Sequence, residues 1–272
     1  MTAPFPPPKH ASVASPVSLN GHASIELLHA SVWLPVFAQA QQISLFAGLA
    51  KTLSMGRIAR NGGGALYVNP LNGVSLSINE GERVGLVGRN GAGKTTLLKL
   101  LAGVHHASSG RVQINGSVAS LLEIGGGMDL ERTGLQNIEY VTRLLGFDKR
   151  ERARIRDEIV EFAELGQFIA LPVRTYSAGM MTRLSFGLAT ARPKDILVLD
   201  EVIGAGDAFF IEKAGDRIRS LVQQARIMVL ATHSADILVN FCNRAVWVDQ
   251  GVIRADGDPA EVWHLYMNSE PA

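Results

Sequence analysis

Cysteine and charge of one sign are both scarce in this 272-residue chain. Cys242 is its only cysteine, which excludes an internal disulfide or a multi-cysteine zinc site and is typical of a reducing cytosol. The 26 basic and 25 acidic side chains leave a formal net charge of +1. Because no overall field favours nucleic acid or a membrane surface, no nucleic-acid partner is expected. The chain also lacks internal repeats, heptad runs and a signal-peptide pattern at its start.

Long apolar runs are limited to one stretch, residues 31–50, which has no charged residue and the length of a membrane span. A proline and three glutamines inside it make insertion into a bilayer costly. We interpret the stretch as the end of a strand and the start of an interfacial or surface helix that runs from Phe37 to about Arg60. The apolar face of that helix is expected to contact either the membrane side or the protein core.

The overall composition, 47% hydrophobic and 19% charged, is typical of a globular chain with a sizeable core. Residues 1–22, rich in Pro, Ser, Ala and His, are predicted to be a disordered tail. One domain is expected over residues 23–272, with a variable insertion at about 37–64 and a helical subdomain at about 134–192. Strands and helices alternate elsewhere, and this predicts a mainly parallel sheet with helices on its faces.

The predicted elements follow from periodicity and turn signals. Strands are predicted at 25–33, 74–78, 83–87, 112–114, 118–123, 196–199 and 227–231, and in a terminal hairpin of 245–248 with 252–254. The strands at 112–114 and 118–123 are expected to pair with each other. Helices are predicted at 94–102, 135–145, 151–164, 180–191, 208–224, 235–241 and 259–267.

The strongest local pattern is the segment GRNGAGKT, which begins at Gly88 and matches the phosphate-loop motif GxxxxGK[ST] between a predicted strand and a predicted helix. Glycines let backbone amides surround phosphate oxygens, and the N terminus of the helix supplies further N–H groups. Lys94 is expected to bind the β- and γ-phosphates of ATP, and Thr95 to bind Mg²⁺. The residues predicted to contact nucleotide here are Gly88, Arg89, Asn90, Gly91, Ala92, Gly93, Lys94, Thr95 and Thr96.

Two carboxylates, Asp200 and Glu201, follow the apolar strand predicted at 196–199. In phosphoryl transfer the first such carboxylate binds Mg²⁺ through water, and the second polarises the attacking water. With the phosphate loop, the pair indicates a nucleoside triphosphatase. Some small-molecule kinases and GTPases also carry the loop, so these two motifs leave the class of enzyme open.

A third segment narrows the class, because Tyr176-Ser177-Ala178-Gly179-Met180 resembles the ABC signature, usually written LSGGQ. Asp207 is similar in position to the D-loop aspartate of ABC ATPases, and His233, after a predicted strand, to their switch histidine. The resemblance implies that Ser177 and Gly179 of one subunit close over the γ-phosphate bound by another. Ser177 is also a good helix N-cap, and the two roles are compatible.

Two longer stretches resemble ABC exporters of polysaccharides and polyol phosphates. Residues 122–138 are similar to their LELGxGFxPxxTGxxNI region, and residues 200–209 to their DEVLAVGDxxF. The resemblance implies an α/β P-loop NTPase of the ABC type, with a mainly parallel core sheet, an antiparallel β subdomain and an inserted helical subdomain. It further implies ATP hydrolysis by a homodimer, and separate integral-membrane permease subunits. The implied location is the cytoplasmic face of the bacterial inner membrane, and the implied cargo is a lipid-linked polysaccharide or polyol phosphate.

Other readings of the ABC resemblance stay open. The chain could energise transport of another substrate, or act as a non-transport ABC ATPase on nucleic acid or ribosomes. The single cassette without a heptad run disfavours the non-transport class. An adaptor that binds ATP without hydrolysing it is disfavoured by Glu201 and His233.

Two positions depart from the usual ABC pattern. Glu123 lies nearest the place where most ABC ATPases carry a glutamine that senses Mg²⁺ and the membrane partner, so Glu123 is the metal-contact candidate there. The aromatic that stacks on adenine is expected at the end of the first strand, where Trp33 matches best and Tyr67 is the alternative. A role in the core is an equally good interpretation of either aromatic.

Overall fold

The structure, a computed structural model, describes residues 21–36, 58–60, 66–122, 128–191, 194–200 and 208–269. The predicted N-terminal tail, apart from its last two residues, and nearly all of the predicted insertion lie outside the described residues. The chain divides into two compact units, Met1–Ser117 with Arg226–Ala272, and Val118–Ala225. The helical subdomain predicted at about 134–192 falls inside the second unit.

The described strands have these bounds: β1 Ser24–Val36, β2 Ile58–Arg60, β3 Leu66–Asn79, β4 Arg83–Val87, β5 Ser109–Asn115, β6 Val118–Leu121, β7 Ile196–Leu199, β8 Ile227–Ala231, β9 Arg244–Asp249 and β10 Val252–Gly257. The described α-helices are α1 Lys94–Leu101, α2 Gly134–Leu144, α3 Lys149–Ala163, α4 Ala178–Ala189, α5 Ala208–Gln224, α6 Ala235–Phe241 and α7 Pro259–Met267. Short 3₁₀ helices cover Gly166–Ala170 and Val173–Thr175.

Two sheets form the first unit. The antiparallel sheet has the strand order β2-β3-β1-β5, with Ile25 opposite both Ile78 and Ile114. In the other, β4 is parallel to β8 on one side and to β9 on the other, and β9 pairs with β10 as the predicted terminal hairpin. Because β4 and β8 are buried along nearly their whole length, they read as continuous apolar runs in the sequence.

Three α-helices and a parallel strand pair, β6 with β7, form the main body of the second unit. The apolar faces of α2, α3 and α4 share one core that includes Ile138, Ile155, Ile159 and Leu184. Polar N-caps fix where these helices begin, because Thr133 and Asp148 each form a capping box with the residue three positions on.

Two sequence-based expectations about this fold are wrong. Ile58–Arg60, expected to end a helix, is instead strand β2, whose backbone groups pair antiparallel with Leu66–Val68 of β3. The strands at 112–114 and 118–123 do not pair with each other, because β5 pairs with β1 in the first unit and β6 with β7 in the second. Only Gly116 and Ser117 separate β5 from β6, but tertiary pairing partners decide which edge each strand joins.

Candidate functional site

The phosphate loop lies between β4 and α1 in the first unit, where the sequence motif predicts it. Gly88, Gly91 and Gly93 have φ angles of 150°, 77° and 113°, values that an L side chain rarely adopts. Gly93 is the N-cap of α1 and provides no side-chain cap, so the first backbone N–H groups of the helix face the loop opening. This is the arrangement that binds phosphate at a helix N terminus.

Two neighbouring backbone segments lie so close to the loop that they leave no room for a Cβ atom at Gly93 or Gly88. A Cβ on Gly93 would lie 2.5 Å from the carbonyl oxygen of Pro70 on β3, and a Cβ on Gly88 would overlap the carbonyl oxygen of Val248 on β9. The turn of the β9–β10 hairpin is fastened to the loop as well, because the Gly251 N–H donates to the carbonyl of Ala92 at 2.8 Å. Neighbouring backbone on β3, β9 and the hairpin turn therefore limits which residues the loop can carry at these positions.

Lys94 places its charge inside this loop. Lys94 is only 8% exposed, and its Nζ donates to the carbonyl oxygens of Gly88 at 2.6 Å and Arg89 at 3.1 Å. An ammonium held by carbonyl dipoles in a shielded site attracts anionic oxygens strongly. Thr95, the next residue, is exposed at the start of α1.

His233 reaches the same edge of the sheet as the phosphate loop. Because β4 and β8 are parallel with Leu86 opposite Ala231, Gly88 and His233 each stand two residues beyond the paired position. The Thr232 N–H donates to the carbonyl of Leu86 at 3.1 Å, which ties the segment before His233 to β4. His233 itself is exposed.

The residues on either side of His233 hold the chain in a defined turn. Thr232 is fully buried, and its hydroxyl accepts from the Ser234 N–H at 3.0 Å. The Ser234 hydroxyl in turn caps α6 by accepting from the Ile237 N–H. Of these three residues only His233 is predicted from the sequence, although the Thr-His-Ser order before an apolar helix is a signal for the other two.

The acidic part of the predicted site lies in the second unit. All four residues of β7 are buried, and the strand delivers Asp200 at its end, half-buried. Glu201, Asp207 and Glu123 lie outside the described residues. Their expected roles therefore remain predictions. Among the described residues, no group of three or more His, Cys, Asp or Glu side chains could hold a metal ion by themselves.

The signature serine occupies the start of α4 in the second unit. Ser177 is the N-cap, and its hydroxyl accepts from the Met180 N–H at 3.2 Å. A Cβ on Gly179 would meet no atom closer than 4.0 Å, so the helix N terminus stays open on that side. A cavity of about 570 Å³ adjoins these residues and is also lined by Phe168 and Arg183. A helix N terminus beside a cavity suits an anionic group.

Both candidate adenine-stacking aromatics lie in the antiparallel sheet. Trp33 is half-buried on β1, and its backbone N–H donates to the hydroxyl of Ser108. Tyr67 lies opposite Pro35 of β1 and Ala59 of β2. The role of each remains a prediction.

Comparison with known proteins agrees with this geometry. Residues 71–204 match the ABC transporter family. The chain is 42% identical to the O-antigen export system ATP-binding protein RfbE of Yersinia enterocolitica, over 80% of this chain and 91% of that protein. It is 42% identical to RfbB of Myxococcus xanthus, of which it spans about half (47%). It is also 39% identical to a teichoic acids export ATP-binding protein of Bacillus anthracis, over 74% of this chain and 36% of that protein.

Solved structures give the same fold at low identity. An ATP-binding subunit of an ABC transporter superposes with a TM-score of 0.64 at 19% identity, covering 91% of this chain and 95% of the other. A dimeric ATP-binding cassette in a post-hydrolysis state with ADP and phosphate superposes with a TM-score of 0.61 at 18% identity, covering 86% and 98%. In the part of the chain that the structure describes, no helix is long and apolar enough to cross a membrane.

Proposed function

This chain belongs to the ABC transporter family as a nucleotide-binding, ATP-hydrolysing subunit, and from that premise we propose that it powers export of a lipid-linked polysaccharide or polyol phosphate. The observation that carries the ATPase part is the phosphate loop, with Lys94 Nζ held 2.6 Å from the Gly88 carbonyl oxygen. The substrate class is supported by the names of the similar proteins, which belong to O-antigen and teichoic acid export.

ATP binding is assigned to residues of the first unit. The loop amides and Lys94 bind the phosphates, and Trp33 or Tyr67 stacks on adenine. Thr95 and Asp200 are the residues that would hold Mg²⁺, and a bound Mg²⁺ would neutralise phosphate charge. These fit, since Mg²⁺ prefers oxygen ligands and needs few from the protein when phosphates supply the rest.

Hydrolysis is assigned to two side chains. Glu201 orients the attacking water and accepts a proton from it. His233 stabilises charge on the γ-phosphate oxygens. Because the turn around His233 is built by buried Thr232 and by the cap Ser234, the imidazole is held at the edge of the sheet where the phosphate loop begins.

We assign the chain to a homodimer, in which Ser177 and Gly179 of one subunit cover the γ-phosphate bound by the other, and we assign Asp207 to the residues that contact nucleotide. A two-fold dimer makes two equivalent composite sites. Opening after hydrolysis moves a separate permease that docks near residues 123–134, with Glu123 close to that contact. The subunit would act at the cytoplasmic face of the bacterial inner membrane.

The substrate class is tested by deleting the gene in its native bacterium and quantifying polysaccharide or polyol phosphate at the cell surface. We expect the deletion to lose the surface polymer while its lipid-linked precursor accumulates inside the cell. The intact gene should restore export, and a Glu201→Gln gene should not. An unchanged surface polymer would refute the export role and leave the ATPase assignment in place.

A further inference from the structure

Arg217 lies in the second unit at a point where α3, α4 and α5 meet. Its Nε donates to the Thr190 hydroxyl at 2.8 Å, and its Nη2 donates to the Thr190 carbonyl oxygen at 3.1 Å. Thr190 is the C-cap of α4 and is only 3% exposed. A cation is favourable at a helix C terminus, and the planar fork of a guanidinium satisfies both oxygens at once.

The same guanidinium also packs on an aromatic pair. Arg217 Cζ lies 5.2 Å from the centre of the Phe162 ring on α3, within the range of a cation–π contact. Phe162 stacks on Phe186 of α4 with ring centres 5.5 Å apart, and both rings are buried. The guanidinium of α5 thus contacts α3 through the ring of Phe162, and contacts α4 through the hydroxyl and carbonyl oxygens of Thr190.

Lys213, one turn earlier on α5, extends the contact along the same helix face. Its Nζ donates to the carbonyl oxygen of Glu161 and to the carboxylate of Glu164, and lies 5.4 Å from the centre of the Phe162 ring. This second cation is partly exposed, with 31% of its side chain accessible. The face of α5 that carries both cations is therefore fastened to the ends of α3 and α4.

The two helices joined by Arg217 each adjoin a part of the proposed catalytic machinery. Ser177, the signature serine, is the N-cap of helix α4, and Arg217 donates to the C-cap residue at the other end of that helix. Helix α5 begins at Ala208, directly after the segment 201–207 that contains Glu201 and Asp207. We propose that Arg217 is a positioning residue that makes α4 and α5 move together, so that engagement of Ser177 with the partner's nucleotide is coupled to the position of α5.

This coupling rests on the proposed composite site and deepens it. When Ser177 meets a nucleotide on the partner subunit, any shift of α4 along its axis moves Thr190 as well, because a helix is stiff over three turns. The bidentate contact passes that shift to Arg217 and hence to α5. Lysine cannot replace the arginine fully, since its ammonium lacks the planar fork.

The experiment compares steady-state ATP hydrolysis and calorimetric ATP binding in the full chain for Arg217→Met, Arg217→Lys and a matched control, Arg219→Met. Arg219 is on the same helix and, among the residues that the structure describes, forms an ion pair with exposed Asp216. We expect Arg217→Met to lower kcat between about tenfold and a hundredfold, the scale of a small misplacement in a catalytic site. Its Kd for ATP should stay within about twofold of the wild type, since its phosphate loop is unchanged.

Arg217→Lys should give an intermediate kcat, and the control Arg219→Met the wild-type value. The proposal is overturned if folded Arg217→Met hydrolyses ATP as fast as Arg219→Met. It is also overturned if kcat and ATP binding fall in the same proportion as the folded fraction measured by circular dichroism, because that result indicates a purely structural role. A Lys94→Ala variant with undiminished turnover would instead refute the ATPase site itself.

Discussion

At the scale of single residues, the phosphate loop is shaped by neighbours outside the motif. The motif letters predict glycine at 88, 91 and 93, and the structure shows what each one avoids or permits. Gly91 has open space where a Cβ would point, whereas Gly93 is pressed against the backbone of Pro70. The motif could be read from the sequence, but the pressing strand could not, because Pro70 lies in a part of β3 that periodicity did not predict.

The effect of the close backbone at Gly93 is tested by comparing Gly93→Ala with the control Gly103→Ala. Both glycines have positive φ, so each substitution should cost roughly 1–2 kcal/mol of stability. Only Gly93→Ala adds a Cβ in contact with backbone, whereas Gly103 has nothing within 4 Å. We expect Gly93→Ala alone to weaken ATP binding, by about fivefold or more if about 1–3 kcal/mol of strain must be relieved by moving the loop. Equal ATP affinities in calorimetry of the two variants would contradict this explanation.

At the scale of elements, the sequence identified most helices and strands but not their partners. Caps and apolar periods are local signals, so α2, α3 and the β9–β10 hairpin were predicted within a few residues. Pairing is not local, and so the sequence alone predicts a helix end where β2 lies and a pairing of β5 with β6 that the structure does not have. The candidate site shows the same limit, since its motifs are local, whereas Arg217 acts through contacts with Thr190 and Phe162 that are distant in sequence.

The packing of α6 on β4 gives a pH-dependent prediction. A Cβ at Gly85 of β4 would meet Leu238 and Cys242, so the thiol lies against the sheet, 8% exposed. Burial raises the pKa of Cys242 from about 9 to about 11, with the charge of Arg83 opposing the shift. Between those pH values the unfolded chain ionises the thiol and the folded chain does not, so stability falls as pH rises.

The loss should approach about 2–3 kcal/mol across that window, at 1.36 kcal/mol for each unit of pKa difference. Urea unfolding at pH 8 and pH 11 measures it, and Cys242→Ala is the control that retains every other alkaline titration. The wild type should lose more stability than Cys242→Ala over this range. Equal losses in the two proteins would show that the thiol ionises as readily in the folded chain as in the unfolded one.

At the scale of the whole molecule, neither the chain alone nor either of its two compact units contains a complete site under this account. The phosphate loop and His233 belong to the first unit, and Asp200 and Ser177 to the second. The proposed dimer completes each site by adding Ser177 and Gly179 from another copy. The sequence could indicate this through the signature motif, because Ser177 has a recognisable pattern even though its ligand is bound elsewhere.

The most direct test of the account mixes two inactive variants, Lys94→Ala and Ser177→Arg, and measures ATP hydrolysis. In a heterodimer both lesions fall in one composite site, and the other site is intact. Each variant alone should be inactive, and an equal mixture should recover up to about a quarter of the wild-type rate, since half of its dimers carry one intact site. No recovery in a mixture shown by cross-linking to contain heterodimers would contradict sites shared between two copies of this chain.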